Sequence, residues 1–282
     1  MKIIIAGAHG QLGQDLVQVL RPDHELIAHD LDELDICDFE AVSRLVETVR
    51  PDLIFNTAAF TNVDGCEANP DEAYRVNAIG ARNLAVASEK VGSALLYPST
   101  DYVFDGTKSE PYTEFDATNP ISTYGRSKLA GENFVKNLSS RYFIVRTSWL
   151  YGPGKNFVRT IQKVANEKNE LAVVNDQFGS PTSTADLARK LVELVSKAPF
   201  GLYHVTNRGT CSWFDLAKDI LRLSGLDHVK VRPISTAESK RPAPRPRYSV
   251  LRNYCLELSG LSPLRHYEEA LRDYVLEVSQ KA

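Results

Sequence analysis

Short apolar runs alternate with segments of helical periodicity through the first half of the chain. The run "KIIIAG" begins at Lys2 and is rich in β-branched residues, which is typical of a strand buried on both faces of a parallel sheet. In "QLGQDLVQVL", which follows, Leu12, Leu16 and Leu20 recur at helical spacing. The same reasoning predicts further strands at Glu25–Asp30, Asp52–Ala59, "ALLYPSTDYVF" and "YFIVRTSWLYG", and helices at Asp38–Val49 and within Pro70–Val91. This order predicts an α/β fold with a doubly wound parallel sheet and right-handed crossovers.

The alternation of long strands and helices changes beyond Trp149. Short strands are predicted at "LAVV" and "LYHV", and helices near Asn156–Glu167, Thr184–Lys197, Trp213–Ser224 and Tyr267–Gln280. Because these segments are short, we expect a smaller α/β lobe over residues 151–282 that is intertwined with a first unit over residues 1–150. Later segments are also expected to join the first unit.

Composition and charge exclude several classes of protein. The 282 residues carry a net charge of −3, which gives no general attraction to nucleic acid or to an anionic membrane. No apolar run approaches the roughly 20 residues of a membrane-spanning helix, and glycines interrupt the N-terminal run too early for a signal peptide. Cys37, Cys66, Cys211 and Cys255 are far apart and form no CxxC or Cys/His cluster. We therefore expect reduced thiols, a cytoplasmic location and no catalytic metal.

A glycine-rich turn joins the first predicted strand to the first predicted helix. "GAHGQLG" contains Gly7, Gly10 and Gly13, with Gln11 and Leu12 between the last two. In a dinucleotide-binding turn these glycines allow a tight turn, close approach of a pyrophosphate, and close packing of helix and strand. An ordinary glycine-rich turn is the alternative. The position between this strand and this helix favours a Rossmann-like cofactor site that includes all five residues.

Asp30, at the end of the second predicted strand, is the residue expected to determine the preference between NAD(H) and NADP(H). A carboxylate there accepts both hydroxyls of an adenine ribose and repels a 2′-phosphate, which favours NAD(H). The alternative is a strand-end aspartate in a turn. Asp35 and Ile36 are expected to flank the adenine. Three basic residues nearby leave NADP(H) open, namely Arg21, His29 and Arg50.

Two further strands end in residues with candidate chemistry. "NTAAFTNVD" places Ala58, Ala59 and Thr61 where they would run beside a cofactor. "STDYVFDG" places Ser99 and Thr100 at the carboxyl edge of the sheet, where open α/β sheets bind ligands.

Tyr124 and Lys128, in "STYGRSKLAGE", are four residues apart in a predicted helix and therefore share a face. By itself this YxxxK spacing more often marks a helix start at which the tyrosine packs and the lysine points to water. The other motifs decide between the two interpretations.

Taken together, these motifs resemble the extended short-chain dehydrogenase/reductases. The resemblance rests on GxxGxxG, "NTAAFTNVD", "YRVNAIG", "STDYVFDG" and YxxxK. With "RTSWLYG", "NFV" and "VNDQFGSPT" added, nearly the whole chain is similar to the dTDP-4-dehydrorhamnose reductase family. The resemblance implies a triad of Thr100, Tyr124 and Lys128, supported by Asn77, which is counted with the cofactor site.

The resemblance also implies a role for each member of the triad. Thr100 is expected to hydrogen-bond the substrate ketone and Tyr124 to protonate it as hydride arrives. Lys128 is expected to lower the pKa of Tyr124 from its reference of about 10 and to hold the cofactor ribose.

The substrate is expected between the triad and the second lobe. Trp149 is placed against the sugar by the resemblance, although a core aromatic between sheet and lobe is the alternative. The stretch "KRPAPRPRYS" is either a solvated loop or a basic lid over the diphosphate, because arginine forks suit phosphate oxygens. The candidate substrate residues are Asp101, Trp149, Asn156, Gln177, Arg245 and Arg247.

The implied activity is NAD(P)H-dependent reduction of the C4 ketone of dTDP-4-dehydrorhamnose to dTDP-L-rhamnose, for cell-surface polysaccharide. One alternative is a nucleotide-sugar epimerase or dehydratase of the same superfamily. A dehydratase commonly carries Asp-Glu after its catalytic threonine, whereas here Tyr102 follows Asp101. The second alternative is a non-catalytic subunit resembling the regulatory subunit of methionine adenosyltransferase, which the intact triad and glycine motif disfavour. The expected partner is a dTDP-sugar, with a homodimer as an open alternative to a monomer.

Overall fold

The computed structural model describes residues 1–280, and its elements follow the predicted alternation of strand and helix. The strands are β1 (Lys2–Ala6), β2 (Glu25–His29), β3 (Leu53–Asn56), β4 (Ala94–Thr100), β5 (Tyr142–Thr147), β6 (Leu150–Tyr151), β7 (Glu170–Val174), β8 (Phe178–Gly179), β9 (Thr182–Ser183), β10 (Gly201–His204), β11 (Cys211–Ser212) and β12 (Lys230–Ile234). The α-helices are α1 (Gln11–Leu20), α2 (Phe39–Val49), α3 (Val63–Ala68), α4 (Pro70–Tyr74), α5 (Ala81–Val91), α6 (Thr123–Leu138), α7 (Phe157–Glu167), α8 (Thr184–Lys197), α9 (Trp213–Leu223), α10 (Thr236–Ser239), α11 (Tyr254–Leu258) and α12 (Tyr267–Gln280).

The central sheet is parallel, with the strand order β10–β5–β4–β3–β1–β2. Ile3, Ile4 and Ile5 of β1 have no exposed surface, because helices cover both faces of the sheet. α1 and α8 pack on one face, and α2 and α5 pack on the other. Coverage of both faces explains why β1 is a continuous apolar run rather than an alternating one. The predicted doubly wound α/β fold is confirmed.

The switch in strand order positions the candidate chemistry. The chain moves outward from β1 to β2 on one side and from β3 to β4 and β5 on the other. The carboxyl ends of β4 and β5 are adjacent, with Thr100 paired to Thr147. A crevice above such a switch point is where ligands bind in open α/β sheets.

Several predicted elements have different bounds in the structure. The strand expected at "ALLYPSTDYVF" ends at Thr100 and continues as a single 3-10 turn, and "YFIVRTSWLYG" divides into β5 and β6. The strand expected at Asp52–Ala59 ends at Asn56, because the chain then leaves the sheet and runs over its edge. The helix expected within Pro70–Val91 is α4, a π-helical turn at Arg75–Gly80, and α5. Single π-helical turns occur frequently at functional sites, and this one carries Asn77.

The second lobe pairs β7 with β12 and packs α7, α9 and α12 around them. "LYHV", expected as a strand of this lobe, forms most of β10 and instead extends the central sheet beside β5. Leu187 and Leu191 of α8 also join the hydrophobic core beneath that sheet. Residues beyond 150 therefore build part of the first unit, and the chain passes between the lobes more than once. The last two residues of the predicted lobe, 281 and 282, lie outside the described residues.

Candidate active site

A cavity of about 410 Å³ opens above the carboxyl ends of β3, β4 and β5. It brings together Thr100, Tyr124 and Lys128, the three residues of the predicted triad. The other predicted residues in its wall are Gly10, Gln11, Leu12, Gly13, Ala59, Thr61, Asp101 and Trp149. This cavity is the candidate active site.

The start of α6 positions Tyr124. Ser122 caps the helix, since its Oγ accepts a hydrogen bond from Gly125 N at 3.1 Å. Gly125 allows close approach to the strand end, because a Cβ there would lie 2.1 Å from the carbonyl oxygen of Tyr102. Tyr124 therefore lies beside Thr100, and Lys128 follows one turn later on the same helix face.

Lys128 is almost completely buried, and its Nζ lies 4.0 Å from the centre of the Tyr97 ring. Burial lowers the pKa of Lys128 to about 7, and the Glu132 carboxylate opposes this shift. Burial also raises the pKa of Tyr124, opposed by a hydrogen bond with Thr100 rather than by Lys128. The net pKa of Tyr124 is therefore raised from its reference value, because desolvation is the largest effect, and the expected lowering by Lys128 stays a prediction.

A buried ion pair supports α6 one turn beyond Lys128. The carboxylate of Glu132 accepts hydrogen bonds from Arg146 Nε at 2.8 Å, Arg146 Nη2 at 2.7 Å and Ser99 Oγ at 2.6 Å. The pair joins α6 to β4 and β5, the strands whose ends form the cavity. Sequence reasoning missed this pair, although Glu132 lies four residues after Lys128 on the same face.

Thr100 is held at the end of β4 by two hydrogen bonds. Its Oγ1 accepts from Tyr102 N at 3.2 Å and donates to Asp101 Oδ1 at 3.0 Å. The other carboxyl oxygen of Asp101 accepts a hydrogen bond from Ser249 Oγ. Burial raises the pKa of Asp101 to about 7, against the hydrogen bonds from Ser249 and Thr100.

A second cavity continues from the glycine-rich turn along the end of β2. Gly7 has a φ of 80°, and a Cβ at this position would lie 2.5 Å from Ala58 N. Asp30 Oδ2 accepts from His9 N at 2.8 Å, so the carboxylate also holds the glycine-rich turn. The predicted cofactor residues that line this cavity are Gly7, Gly10, Asp30, Asp35, Ile36, Ala58 and Ala59.

Arg75, which the sequence did not indicate, lies in the wall of the second cavity. Its Nη1 is 3.3 Å from Asp35 Oδ2, and its Nε is 2.7 Å from Glu72 Oε2. The charge is therefore already paired with carboxylates at the adenine end of the predicted cofactor site.

Asn77 lies behind the cavity wall rather than in it and is 1% exposed. Its Oδ1 accepts from Phe60 N at 2.8 Å, and its Nδ2 donates to Ser127 Oγ at 3.0 Å. Ser127 Oγ donates in turn to the carbonyl oxygen of Tyr124 at 2.8 Å. Asn77 thus connects the loop after β3 with the first turn of α6, and its contribution is to hold the helix that carries Tyr124.

Trp149 and Trp213 form an aromatic wall of the catalytic cavity. Trp149 follows β5 with a φ of 48°, a strained conformation for a bulky residue. Trp213 begins α9, and the ring of Phe157 packs against it with centroids 4.6 Å apart. Sequence reasoning missed Trp213, because the first residue of an amphipathic helix carries no local signal for a distant cavity.

A third cavity lies between α7, α9 and the β7–β12 pair. Tyr102 and Trp213 line both this cavity and the catalytic cavity, so the two meet at these side chains. Its walls include many apolar residues of α7 and β7, whereas Gln177 and Arg245 are among its polar residues.

The basic stretch is tethered to the cofactor side of the molecule. Asp64 of α3 accepts hydrogen bonds from Arg241 Nη1 and Arg245 Nη2, each at 3.0 Å. The Arg245 side chain is 15% exposed and lines the third cavity, whereas Arg247 is exposed and lies outside the walls of the three cavities. The structure therefore distinguishes two arginines that the sequence could not.

Asn156 serves as the N-cap of α7. Its Oδ1 accepts from Arg159 N at 3.1 Å, and its Nδ2 donates to Tyr274 OH at 2.8 Å. These bonds hold α7 against α12, away from the cavity walls, so the geometry gives this predicted substrate residue a structural part.

Two further kinds of site were sought over the described range. Within residues 1–280, no group of three or more His, Cys, Asp or Glu is placed to hold a metal ion. No helix in that range is both long and apolar enough to cross a membrane.

Comparison with known proteins gives a family match over the described residues. The RmlD substrate binding domain matches residues 1–280. The crystal structure of a dTDP-4-dehydrorhamnose reductase from Clostridium acetobutylicum is 49% identical with a TM-score of 0.97, covering 99% of this chain and 100% of that chain. That of Bacillus anthracis dTDP-4-dehydrorhamnose reductase, solved with NADP, is 46% identical with a TM-score of 0.96, covering 98% and 99%. The dTDP-4-dehydrorhamnose reductase of Mycobacterium tuberculosis is 42% identical over 278 residues, which are 96% of this chain and 91% of that protein.

Proposed function

The chain belongs to the RmlD substrate binding domain family, and on that premise we propose that it reduces the C4 ketone of dTDP-4-dehydro-β-L-rhamnose to dTDP-L-rhamnose with NADH or NADPH. The observation that carries this proposal is the single cavity that Thr100, Tyr124 and Lys128 share with the glycine-rich turn. Relatives named for this reaction match over nearly the full chain.

The residues around the first two cavities fit a nicotinamide dinucleotide. The turn at Gly7 has no space for a side chain, as a turn that admits a pyrophosphate requires. Among the described residues, the buried Gln11 Oε1 and the Asn56 amide in the catalytic cavity have no hydrogen-bond partner, and buried groups of this kind are normally satisfied. Asp30 and Asp35 would hold the adenosine half. When bound, the cofactor supplies the hydride.

Tyr124 is the proton donor in this proposal. Burial raises its pKa, so the hydroxyl keeps its proton at neutral pH until a more basic oxygen forms beside it. Reduction of the ketone creates such an oxygen, which takes the Tyr124 proton while the Thr100 hydroxyl holds it in place. Lys128, one helical turn away, stabilises the negative charge that then remains on Tyr124.

The third cavity suits the nucleotide half of the substrate. Its apolar walls can cover a base, while Arg241 and Arg245 supply donors for the diphosphate. Because this cavity meets the catalytic cavity at Tyr102 and Trp213, a nucleotide-sugar can lie across both with its sugar at the triad.

Neither the dehydratase nor the non-catalytic alternative is supported by the geometry. Where a dehydratase commonly carries a glutamate, this chain has the half-buried phenol of Tyr102, whose ring packs edge-on against Tyr124 with centroids 5.8 Å apart. A regulatory subunit without catalysis would not need a complete triad inside a cavity that continues to a dinucleotide-binding turn.

The deciding experiment follows the decrease in nicotinamide absorbance with a panel of dTDP-, UDP- and GDP-linked 4-ketosugars. We expect turnover with the dTDP-sugar and an NMR spectrum of the product that identifies dTDP-L-rhamnose. Turnover restricted to UDP- or GDP-sugars would contradict the proposed substrate. Binding of NAD(P)H without oxidation by any ketosugar would contradict the proposed activity.

A further inference from the structure

The hydroxyl of Thr100 has only one proton, and beside an ionised Asp101 that proton is already used. Thr100 Oγ1 donates it to Asp101 Oδ1 at 3.0 Å and accepts a hydrogen bond from Tyr102 N at 3.2 Å, and its remaining position faces the Tyr124 hydroxyl. A hydroxyl offers one donor and two acceptor positions. Thr100 therefore cannot donate to a substrate ketone while its proton points at Asp101, so the proposed function requires this bond to reverse or break.

Asp101 is placed to allow that reversal. Its carboxyl is 2% exposed and bridges two parts of the chain, because Ser249 Oγ donates to Oδ2 while Thr100 donates to Oδ1. Ser249 is itself 1% exposed and is fixed by a hydrogen bond from its N to Phe178 O at 2.8 Å. The carboxyl is thus held in one orientation, with one oxygen reserved for Thr100.

The surroundings of Asp101 favour its neutral form. Burial raises the pKa of Asp101 to about 7, and the opposing effects are hydrogen bonds, the largest from Ser249, rather than a neighbouring cation. The ionisable groups that face it are Tyr102, beside it in the chain, and Tyr124 of α6. Arg245 of the basic stretch acts on Tyr102, and Lys128 of α6 lies over Tyr97.

We propose that Asp101, in its neutral form, is a positioning residue that donates a hydrogen bond to Thr100 Oγ1 and so turns the Thr100 proton toward the substrate ketone. This inference rests on the proposed function. In the neutral arrangement the Tyr124 hydroxyl turns from Thr100 to the ketone oxygen. Thr100 Oγ1 then accepts from Tyr102 N and from Asp101, and its own O–H points to the same ketone oxygen. When Asp101 is ionised, its carboxylate competes with the ketone for the same proton. No covalent bond changes, since only the direction of one hydrogen bond is reversed.

The test compares pH profiles of kcat and KM for the wild type, Asp101→Asn and Asp101→Leu, over about pH 5 to 9. The wild-type kcat is expected to fall as the pH rises through about 7, where Asp101 loses its proton. Asn has a similar shape, its amide N–H can donate to Thr100, and its oxygen can accept from Ser249. Asp101→Asn should therefore keep kcat within a few-fold of the low-pH wild-type value and lose this decrease. Asp101→Leu should lose kcat by roughly ten-fold or more at every pH, the lower end of the range for lost proton-handling groups.

A second variant moves the titration without touching Asp101. Ser249→Ala removes the hydrogen bond that most lowers the pKa of Asp101, so the decrease in kcat should move to higher pH. Ser249→Ala also tests the proposal if Asp101→Asn does not fold. The melting temperature of Asp101→Asn and its KM for NAD(P)H would reveal a folding defect.

A decrease in kcat of unchanged size and position in both Asp101→Asn and Ser249→Ala would overturn the inference and assign that titration to Lys128. Equal losses in Asp101→Asn and Asp101→Leu would also overturn it, because they would give Asp101 a purely structural part. The proposed function is tested separately by turnover of the dTDP-ketosugar by the wild type. If the wild type turns over and the variants behave in either of these ways, only the role of Asp101 fails.

Discussion

The indole rings of Trp149 and Trp213 are stacked face to face, with centroids 3.5 Å apart and planes within 7° of parallel. They are the two tryptophans of the chain. Gly179 lies close to the Trp149 ring, since a Cβ on Gly179 would be 2.4 Å from Trp149 Cε2. Trp149 is thus enclosed between a ring and a backbone segment of the second lobe, and we expect its edge rather than an open face to meet the sugar.

Replacing Trp213 with Ala should loosen Trp149 and raise the KM for the dTDP-sugar. An aromatic pair contributes about 0.5–1.5 kcal/mol beyond its buried area, which corresponds to roughly 2- to 10-fold in KM. The KM for NAD(P)H should change little. Phe214→Ala is the matched control, because Phe214 is the next residue of α9 and packs on the same core without lining the catalytic or third cavity. Additive effects of Trp213→Ala and Trp149→Ala would show that Trp213 does not act through Trp149.

Tyr124→Phe keeps the packing of the ring and removes the proton donor. We expect kcat to fall by roughly 100-fold or more, the usual scale for a lost general acid, with NAD(P)H binding nearly unchanged. Tyr142→Phe, on the half-buried start of β5, controls for the loss of a phenol elsewhere. Near-wild-type turnover by Tyr124→Phe would contradict the assignment of Tyr124 to the catalytic triad.

Asp30→Ala should weaken NADH binding more than NADPH binding. The change removes an acceptor for the ribose hydroxyls and a charge that repels a 2′-phosphate. One charge-assisted hydrogen bond is worth roughly 1.5–3 kcal/mol, so the NADH dissociation constant should rise by about ten-fold or more. Asp32→Ala removes an exposed carboxylate two residues away and should leave the preference unchanged. If Asp30→Ala weakens the binding of NADH and NADPH equally, Asp30 only holds the glycine-rich turn through its hydrogen bond from His9 N.

Arg245→Ala and Arg247→Ala should affect the substrate KM differently, because we expect Arg245 to bind the diphosphate and Arg247 to be a solvated charge. Arg245 lines the third cavity, so its loss should raise the substrate KM by about ten-fold, the scale of one charge-assisted bond. Arg247 is exposed, and exposed charges contribute about 0–1 kcal/mol, so its loss should have a small effect. NAD(P)H affinity should remain unchanged in both variants. An equal and small effect of the two changes would mean that the phosphates are bound elsewhere in the second lobe.

Glu132→Gln should destabilise the fold, because it leaves Arg146 buried without its counter-charge. Removing one partner of a buried ion pair costs about 3–5 kcal/mol, and here both side chains are at most 2% exposed. Urea denaturation would measure this loss. Glu257→Gln, in the exposed pair with Arg252, is the control and should cost about 0–1 kcal/mol. Equal losses in both variants would show that the Glu132 pair contributes no more than a surface contact.

Features that depend on near neighbours could be predicted from the sequence alone. The apolar run of β1 and the helical spacing of α1 are local patterns, and together they indicated the sheet and its cofactor turn. Tyr124 and Lys128 share a helix face because four residues make about one turn. The motifs around Thr100 and Tyr124 then led to the family and to the triad that the cavity brings together.

Features that depend on distant partners were decided only by the tertiary structure. The sequence of β10 predicts a strand but does not indicate which lobe the strand joins. The preceding helix α8 is buried against α1, and β10 therefore pairs with β5 in the central sheet. Arg245 and Arg247 look alike in the sequence, and the position of Asp64 distinguishes them. The Tyr124 pKa shift follows from desolvation, which is a property of everything packed around the phenol. Trp213 reaches Trp149 across 64 positions of sequence because the chain folds back between its lobes, and no local pattern encodes that return.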